Sequence, residues 1–283
     1  MSAAVSATAT ASVVTGFGQD LHDPWVDGLL AARRAGQGYA ADPAQLRCSL
    51  PDAYALQRRH LRRLLAATGD RVVGTKLGGT SEAAQELLGL TAPLMGPMLA
   101  GGAHASGATL ARRDFLDCCS VEPELGLLLG RDLDGTRGLP SRDALLDAIA
   151  EVFPVLEVAD SRFARWTAAP ACAIVADLAY AGAWVRGAAC VHWRSLDLAN
   201  LPVRFLQDGH CLAEGSTAAV LGDPLHALAV AVADAALRGH VLRAGEVVST
   251  GACTPARAVP VGEGATFIAD FGPLGRAELT VAA

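Results

Sequence analysis

The stretch VVGTKLGGTSEAAQELLGL, residues 72–90, predicts a strand, a glycine-containing turn and a short capped helix in direct succession. Its first residues are rich in Val, Thr and Leu, which favours a strand. Ser81 then provides a typical helix N-cap, and Gly89 is a typical residue for ending a helix. The stretch therefore fixes a strand-to-helix unit from which the neighbouring elements can be assigned.

The same stretch contains Lys76, the only lysine in a chain with 23 Lys and Arg residues. Lysine differs from arginine because its amine can release a proton when the surroundings lower its pKa, whereas arginine stays charged. Two interpretations follow. Lys76 is either a chance remainder in an arginine-rich composition or a catalytic amine.

Outside this stretch, the helix and strand patterns predict an α+β fold. The clearest helix runs from Ser49 to Gly69, with apolar residues at helical spacing. Further expected elements are strands at 121–129 and 152–158, helices from Ser141 to about Glu151 and from Asp223 to Gly239, and three closing strands, EVVST, ATFIADF and RAELTVA. Because strands outnumber helices in the second half without regular alternation, the pattern favours a curled mixed β-sheet with flanking helices over a doubly wound fold.

The length of 283 residues fits one large domain with a small helical appendage. We predict a flexible tail at 1–18, an N-terminal helical segment at 19–70 and a mixed-sheet domain at 71–283. The beginning of the chain has no early Arg or Lys, so it lacks the charged front of a signal peptide.

Composition narrows the class of partner. A net charge of −6 argues against nucleic acid or an anionic membrane surface as the main partner. No uninterrupted apolar run approaches the roughly 20 residues of a membrane span. The seven cysteines are odd in number and form no CxxC pair, which favours reduced thiols in a cytoplasmic protein.

Three glutamates are candidate metal ligands. Glu122 and Glu124 are two apart in VEPEL, so in a strand both carboxylates project from the same side. Glu157 lies in the apolar run VFPVLEV, and a buried carboxylate needs a partner. Carboxylates without Cys or His beside them suit a hard ion such as Mg²⁺ or Mn²⁺. The alternative is an exposed edge strand whose acids are simply solvated.

Other common site types are disfavoured. The histidines are scattered without ligand spacing, and Cys118 and Cys119 have no recognisable base nearby. The glycines of GTKLGG do not follow a strand-to-helix phosphate fingerprint. Thiol catalysis and nucleotide binding are therefore set aside.

Several segments, in order, resemble the 2-keto-4-pentenoate hydratase and 4-oxalocrotonate decarboxylase family of the fumarylacetoacetate hydrolase superfamily. The resemblance covers roughly residues 50–283 and rests on VVGTKLGGTSEAAQELLGL, VEPELGLLLGRDL, FPVLEVADSRFARW, AAVLGDPLHAL and LRAGEVVSTGA. It implies the superfamily's fold, a divalent metal on Glu122, Glu124 and Glu157, and an active-site role for Lys76. The implied reaction takes a small 2-oxo acid or 2-hydroxydienoate through an enolate at the metal, in an enzyme that forms homo-oligomers.

Two motifs depart from the family pattern. Pro93-Leu94-Met95-Gly96 stands where hydratases show PDFG, so Leu94 replaces an acid. Leu178 and Tyr180 replace polar residues of the family's ADNxS. The resemblance places these residues in the substrate pocket, together with Asp160, Ser161 and Arg162. An apolar far end disfavours water addition, which points to a substrate larger or less polar than pentadienoate and to decarboxylation, isomerisation or ring closure as the terminal step.

Two further functions stay open. One is the C–C hydrolysis of acylpyruvates found in the wider superfamily, which needs an activated water. The other is a non-catalytic partner subunit. The clustered charges of Lys76 and the three glutamates argue against the second alternative.

Overall fold

The structure, a computed structural model, describes residues 24–116 and 118–283. Its helices are α1 (Pro24–Ala35), α2 (Leu50–Thr68), α3 (Glu82–Leu88), α4 (Arg142–Ala148), α5 (Ala171–Ala176) and α6 (Pro224–Leu237). Its strands are β1 (Val72–Gly78), β2 (Leu94–Leu99), β3 (Ala103–Ala105), β4 (Ala108–Ala111), β5 (Ser120–Leu129), β6 (Ile149–Ala159), β7 (Ala183–Arg186), β8 (Pro202–Gln207), β9 (His210–Ser216), β10 (Val247–Ala252), β11 (Arg257–Ala258), β12 (Ala265–Asp270) and β13 (Arg276–Ala282). The tail predicted for residues 1–18 lies outside these ranges.

The strands form two mixed sheets. The larger has the order β2-β1-β10-β5-β6-β7-β3, with β11 paired to β5, and the smaller has the order β4-β13-β12-β8-β9. Strand β10 runs parallel to β1 and antiparallel to β5, so a late strand lies between two early ones. The α+β class and the curled mixed-sheet architecture are confirmed, although the sequence prediction treated the two sheets as one.

The predicted caps agree with the structure. Ser49 accepts a hydrogen bond from the Asp52 N–H at the start of α2, and Gly69 ends that helix with φ 70°. Ser81 accepts from the Ala84 N–H, and Gly89 ends α3. These short polar side chains satisfy N–H groups that lack a partner within the helix.

One predicted boundary is wrong. The helix that begins after Ser141 ends at Ala148, and residues 149–151 already belong to β6. Ile149 and Glu151 pair with Leu129 and Leu128 of β5. Pairing with a neighbouring strand therefore outweighs the local helical pattern at this point.

The N-terminal helices share a core with the sheets. One apolar cluster contains Val26 of α1, Leu56 of α2, Val158 of β6 and Phe267 of β12. Helices α1 and α2 thus pack directly on the sheet-forming part of the chain. A division between residues 70 and 71 stays a prediction.

The segment Thr217–Leu237, which includes α6, is long and apolar enough to cross a membrane by length and composition, with a mean hydropathy of 1.5. Within the structure, 44% of the 18-residue window with this hydropathy is buried. Leu225, Leu228 and Val232 of α6 are among the residues packed into the main core. This is the pattern expected of an apolar core helix.

One face of the large sheet carries both the candidate site and an apolar patch. Because side chains alternate along a strand, Phe153 and Val155 of β6 share a face with Glu157. Phe153 and Val155 belong to a small apolar cluster with Met98, Trp184 and Val247. Glu157 therefore lies next to an apolar patch on this face of the sheet.

Candidate active site

The three predicted metal ligands meet on adjacent strands. Glu122 of β5 pairs directly with Glu157 of β6 in the antiparallel register, and Glu124 follows on the same face of β5. One carboxylate oxygen from each of the three lies within 4.8 Å of the others. Glu124 and Glu157 are buried, whereas Glu122 is half-buried. The exposed-edge alternative does not fit, because β5 lies between β10 and β6.

Lys76 completes this cluster from β1. Its Nζ lies 3.1 Å from Glu157 Oε1, and its side chain is 7% exposed. Burial acts to lower the pKa of Lys76, but the negative charges of Glu157, Glu122 and Glu124 outweigh it and raise that pKa above its ordinary value. The amine therefore holds its proton while the carboxylates around it are ionised.

Ser249 is a site residue that the sequence prediction missed. It lies on β10, opposite Lys76 in the parallel register, and its hydroxyl donates a hydrogen bond to Glu124 Oε2. The signal was available in EVVST, where Ser249 falls two residues after the inward-facing Val247. Without the order of the strands, however, nothing connected this segment with VEPEL.

The carboxylates fit a cation. Glu124 Oε1 is buried and has no hydrogen-bond partner in the described structure. Burial, followed by the charge of Glu157, raises the pKa of Glu124 well above its usual range and that of Glu122 to about 7. Clustered acids that resist ionisation, with one oxygen unpaired, form an oxygen-only donor set of the kind that Mg²⁺ or Mn²⁺ prefers.

A narrow cleft opens beside Lys76. It is bordered by Lys76, Glu157 and Ser249 on its polar side. Its remaining wall is mainly apolar and consists of Pro97, Met98, Leu99, Ala181, Gly182, Ala183 and Trp184. A small molecule in this cleft would meet the amine and one carboxylate at one end and apolar groups elsewhere.

The predicted pocket residues Leu94, Leu178 and Tyr180 do not border this cleft. Leu94 is buried in the main core, and Leu178 packs with Leu30 and Leu64 of the N-terminal helices. The Tyr180 hydroxyl donates to the Trp166 carbonyl at 2.9 Å. Their role in forming a substrate pocket stays a prediction.

Asp160, Ser161 and Arg162 form a buried polar network with Asp177. The Arg162 side chain pairs with Asp160, while its backbone N–H donates to Asp177 Oδ2 at 2.6 Å. Ser161 Oγ donates to the same oxygen at 3.2 Å. Burial and the nearby charge of Arg33 lower the pKa of Arg162 to about 10. The network fixes the backbone at the end of β6, and direct contact with a substrate stays a prediction.

The backbone after Asp177 is strained. Leu178, Ala179 and Tyr180 have φ values of 56°, 50° and 61°, and all three are buried. A left-handed conformation costs roughly 1–2 kcal/mol for each residue that has a Cβ. Such conformations persist only where the surroundings hold them. We refer to Leu178–Tyr180 as the left-handed turn.

The buried cysteines do not suit nucleophilic chemistry. Burial raises the pKa of Cys118 to about 12 and that of Cys119 to about 11. A thiol with a raised pKa is a poor nucleophile at neutral pH. Their exclusion as catalytic groups agrees with this environment.

The environment of His60 in α2 predicts that the stability of the folded protein depends on pH. Its Nδ1 lies 3.0 Å from the Ala176 carbonyl, and its Nε2 is buried without a partner in the described chain. Burial and the charge of Arg33 lower its pKa to about 4, from 6.5. Between these values the unfolded chain binds more protons than the folded chain, so stability falls as the pH falls. We expect a loss of about 2 kcal/mol in the free energy of unfolding between about pH 7 and pH 5.

Urea unfolding of the wild type and of His60→Asn at both pH values tests this expectation. Asn keeps a donor near the Nδ1 position but does not titrate. The free energy of unfolding of His60→Asn should therefore change less with pH than that of the wild type, because all other titrating groups remain the same. Parallel pH dependences in the two proteins would contradict the burial of a neutral His60.

Comparison with known proteins identifies the family. A family model described as fumarylacetoacetate (FAA) hydrolase C-terminal matches residues 90–282. The chain belongs to the fumarylacetoacetate hydrolase family. The resemblance inferred from its motifs is thus confirmed.

Relatives within this family are hydratases and decarboxylases. A 2-keto-4-pentenoate hydratase of Paraburkholderia xenovorans (strain LB400) is 35% identical over 215 residues, which cover 76% of this chain and 78% of the relative. The enzyme of the same name from Burkholderia vietnamiensis (strain G4 / LMG 22486) is 35% identical over 264 residues, covering 91% and 98%. The structure of 4-oxalocrotonate decarboxylase from Pseudomonas putida G7, complexed with magnesium and adipate, matches with a TM-score of 0.80 at 26% identity, covering 90% and 95%.

Proposed function

We propose that this member of the fumarylacetoacetate hydrolase family is a divalent-metal-dependent lyase that acts on a small 2-oxo acid or 2-hydroxydienoate through its enolate. The observation that carries the proposal is the cluster itself. Three carboxylates lie within 4.8 Å of one another, and one of them is 3.1 Å from a buried amine. The hydratase and decarboxylase relatives support the reaction class.

Each site residue then has a defined task. Glu122, Glu124 and Glu157 would hold one Mg²⁺ or Mn²⁺, which supplies a Lewis acid for the 2-oxo group and carboxylate of the substrate. Lys76 would take a proton from the substrate carbon in the enolising direction and return one to that carbon in the reverse direction, and Glu157 keeps the amine oriented. Ser249 fixes the carboxylate of Glu124 by its hydrogen bond.

The terminal step is proposed to differ from simple hydration. The cleft wall near Met98 and Trp184 is apolar, and Leu94, at the position of the family's acid, lies in the main core away from this wall. An activated water would find few polar partners there. Decarboxylation, isomerisation or ring closure of a larger 2-oxo acid is therefore favoured. Acylpyruvate hydrolysis and a non-catalytic subunit are the competing functions. We further propose that the protein is a cytoplasmic homo-oligomer without nucleic-acid or membrane partners.

Thermal unfolding with Mg²⁺ or Mn²⁺, with oxalate and with both tests the proposal, because oxalate imitates a planar chelating enolate. A ligand at a hundredfold its dissociation constant stabilises the folded state by about 2.7 kcal/mol. For a chain of this size we expect a rise in the melting temperature of a few degrees, larger with both ligands than with either alone. If neither ion nor oxalate changes the melting temperature, the non-catalytic subunit becomes the better interpretation.

Turnover then separates the terminal steps. Exchange of the C3 protons of 2-oxopentanoate in D₂O, followed by NMR, reports enolisation without assuming any later step. Hydration of 2-hydroxypenta-2,4-dienoate should be slow relative to that exchange. Hydration at a rate equal to the exchange would show that the altered residues do not disfavour water, and cleavage of an acylpyruvate would favour the hydrolase alternative.

A further inference from the structure

The N-terminal helices contact the segment around the left-handed turn through polar side chains. Arg33 of α1 donates from Nη1 to the Ala181 carbonyl at 3.0 Å, and from Nη2 to the Asp177 carbonyl at 3.3 Å and Asp177 Oδ1 at 3.1 Å. One guanidinium thus binds the residue before the left-handed turn and the residue after it. A planar group with several fixed donors is suited to holding two main-chain oxygens at once.

Helix α2 holds the residues on either side of the same region. Gln57 Nε2 donates to the Val175 carbonyl at 3.0 Å and to the Met95 carbonyl at 2.9 Å. Tyr54 accepts from the Met95 N–H at 3.0 Å, and His60 contacts the Ala176 carbonyl. These bonds connect α2 to the start of the left-handed turn and to strand β2, which pairs with β1.

The left-handed turn, β2 and Lys76 meet at Gly96. Gly96 is the register partner of Lys76. A Cβ at Gly96 would lie 2.6 Å from the Leu178 carbonyl oxygen, 2.9 Å from the Ala179 Cβ and 3.3 Å from Lys76 Cε. The turn therefore lies against the strand beside the aliphatic part of the lysine. Ala181, whose carbonyl Arg33 binds, borders the cleft with Lys76.

We propose that Arg33 is a positioning residue for Lys76, acting by holding the left-handed turn against Gly96. The assignment rests on the proposed role of Lys76 and adds a function for α1. Three left-handed residues in succession relax to ordinary backbone unless an external contact opposes this. Loss of the Arg33 contacts at Asp177 and Ala181 frees the turn, opens the wall beside the amine and removes the support of the aliphatic part of Lys76, while Glu157 still pairs with its amine.

The single lysine makes a direct test possible. Reaction of the protein with acetic anhydride, followed by mass analysis of the peptide that contains residue 76, measures the access of reagent to Lys76 without substrate or metal. We expect Arg33→Gln to label faster than the wild type by about tenfold or more, because local opening then precedes reaction more often. Arg33→Lys should restore part of the protection, and Arg34→Gln, an exposed neighbour on α1, should match the wild type.

Backbone amide exchange measured on the same proteins separates a local from a global effect. Peptides covering residues 176–183 should exchange faster in Arg33→Gln, while peptides from β12 and β13 should not change. If Arg33→Gln is too unstable to purify, Gly96→Ala gives the test from the strand side, since its Cβ would displace the left-handed turn. Wild-type labelling of Lys76 in Arg33→Gln would overturn the proposal.

Catalysis provides a further readout. On the metal-loaded enzyme, Arg33→Gln should lower kcat for C3 exchange of 2-oxopentanoate with little change in KM, because the amine is displaced while the metal ligands remain. A higher KM with unchanged kcat would contradict a positioning role. Failure of the proposed function is distinguishable, since it would remove C3 exchange from the wild type while leaving the labelling and amide results intact.

Discussion

Lys76→Met is expected to lower the rate of C3 exchange of a 2-oxo acid by about 100- to 10,000-fold, the usual contribution of a positioned acid or base. The same change should destabilise the metal-free protein by about 3–5 kcal/mol, because Glu157 would be left buried without its cation. Magnesium should restore the stability but not the activity, since the ion replaces the charge of Lys76 and not its transferable proton. Calorimetry and NMR exchange measure the two effects separately.

Lys76→Arg is the matched control. Arginine keeps the positive charge beside Glu157 but does not give up its proton, so stability should be largely retained while exchange remains slow. Exchange close to the wild-type rate in Lys76→Arg would show that residue 76 acts by its charge alone. That result would favour the interpretation that Lys76 is a lysine left by chance in an arginine-rich chain.

Glu124→Gln is expected to have opposite effects on the metal-free and the metal-loaded protein. Gln removes one of three mutually repelling carboxylates and can still accept the hydrogen bond from Ser249. The metal-free variant should therefore be at least as stable as the wild type at about pH 8, where burial makes ionisation of this carboxyl unfavourable. The additional stabilisation by magnesium plus oxalate, about 2.7 kcal/mol at a hundredfold the dissociation constant, should disappear.

Glu214→Gln, on the exposed strand β9, provides the control because its side chain is 75% exposed. This variant should keep the wild-type response to magnesium and oxalate. A normal metal response in Glu124→Gln would remove Glu124 from the ligand set. A metal-free Glu124→Gln that is strongly destabilised would mean that the Glu124 carboxylate supports the fold rather than a cation.

Some of the candidate site could be read from local sequence alone. The spacing of Glu122 and Glu124 placed both on one face of a strand, since side chains alternate with a period of two. The apolar neighbours of Glu157 indicated a buried carboxylate, and the structure buries it. Caps such as Ser49 and Ser81 were predictable because their hydrogen bonds involve residues only three positions away.

The sequence by itself determined the main helices and strands around the site, the family and the residues able to bind a cation. Only the tertiary structure decided that Ser249 approaches Glu124, 125 residues away, because β10 enters the sheet between β1 and β5. It also decided the left-handed turn, which local preference disfavours and which the contacts of Arg33 stabilise. Hydrogen bonds and packing between distant segments outweigh local backbone preference at these positions, and a pattern of neighbouring residues does not contain that information.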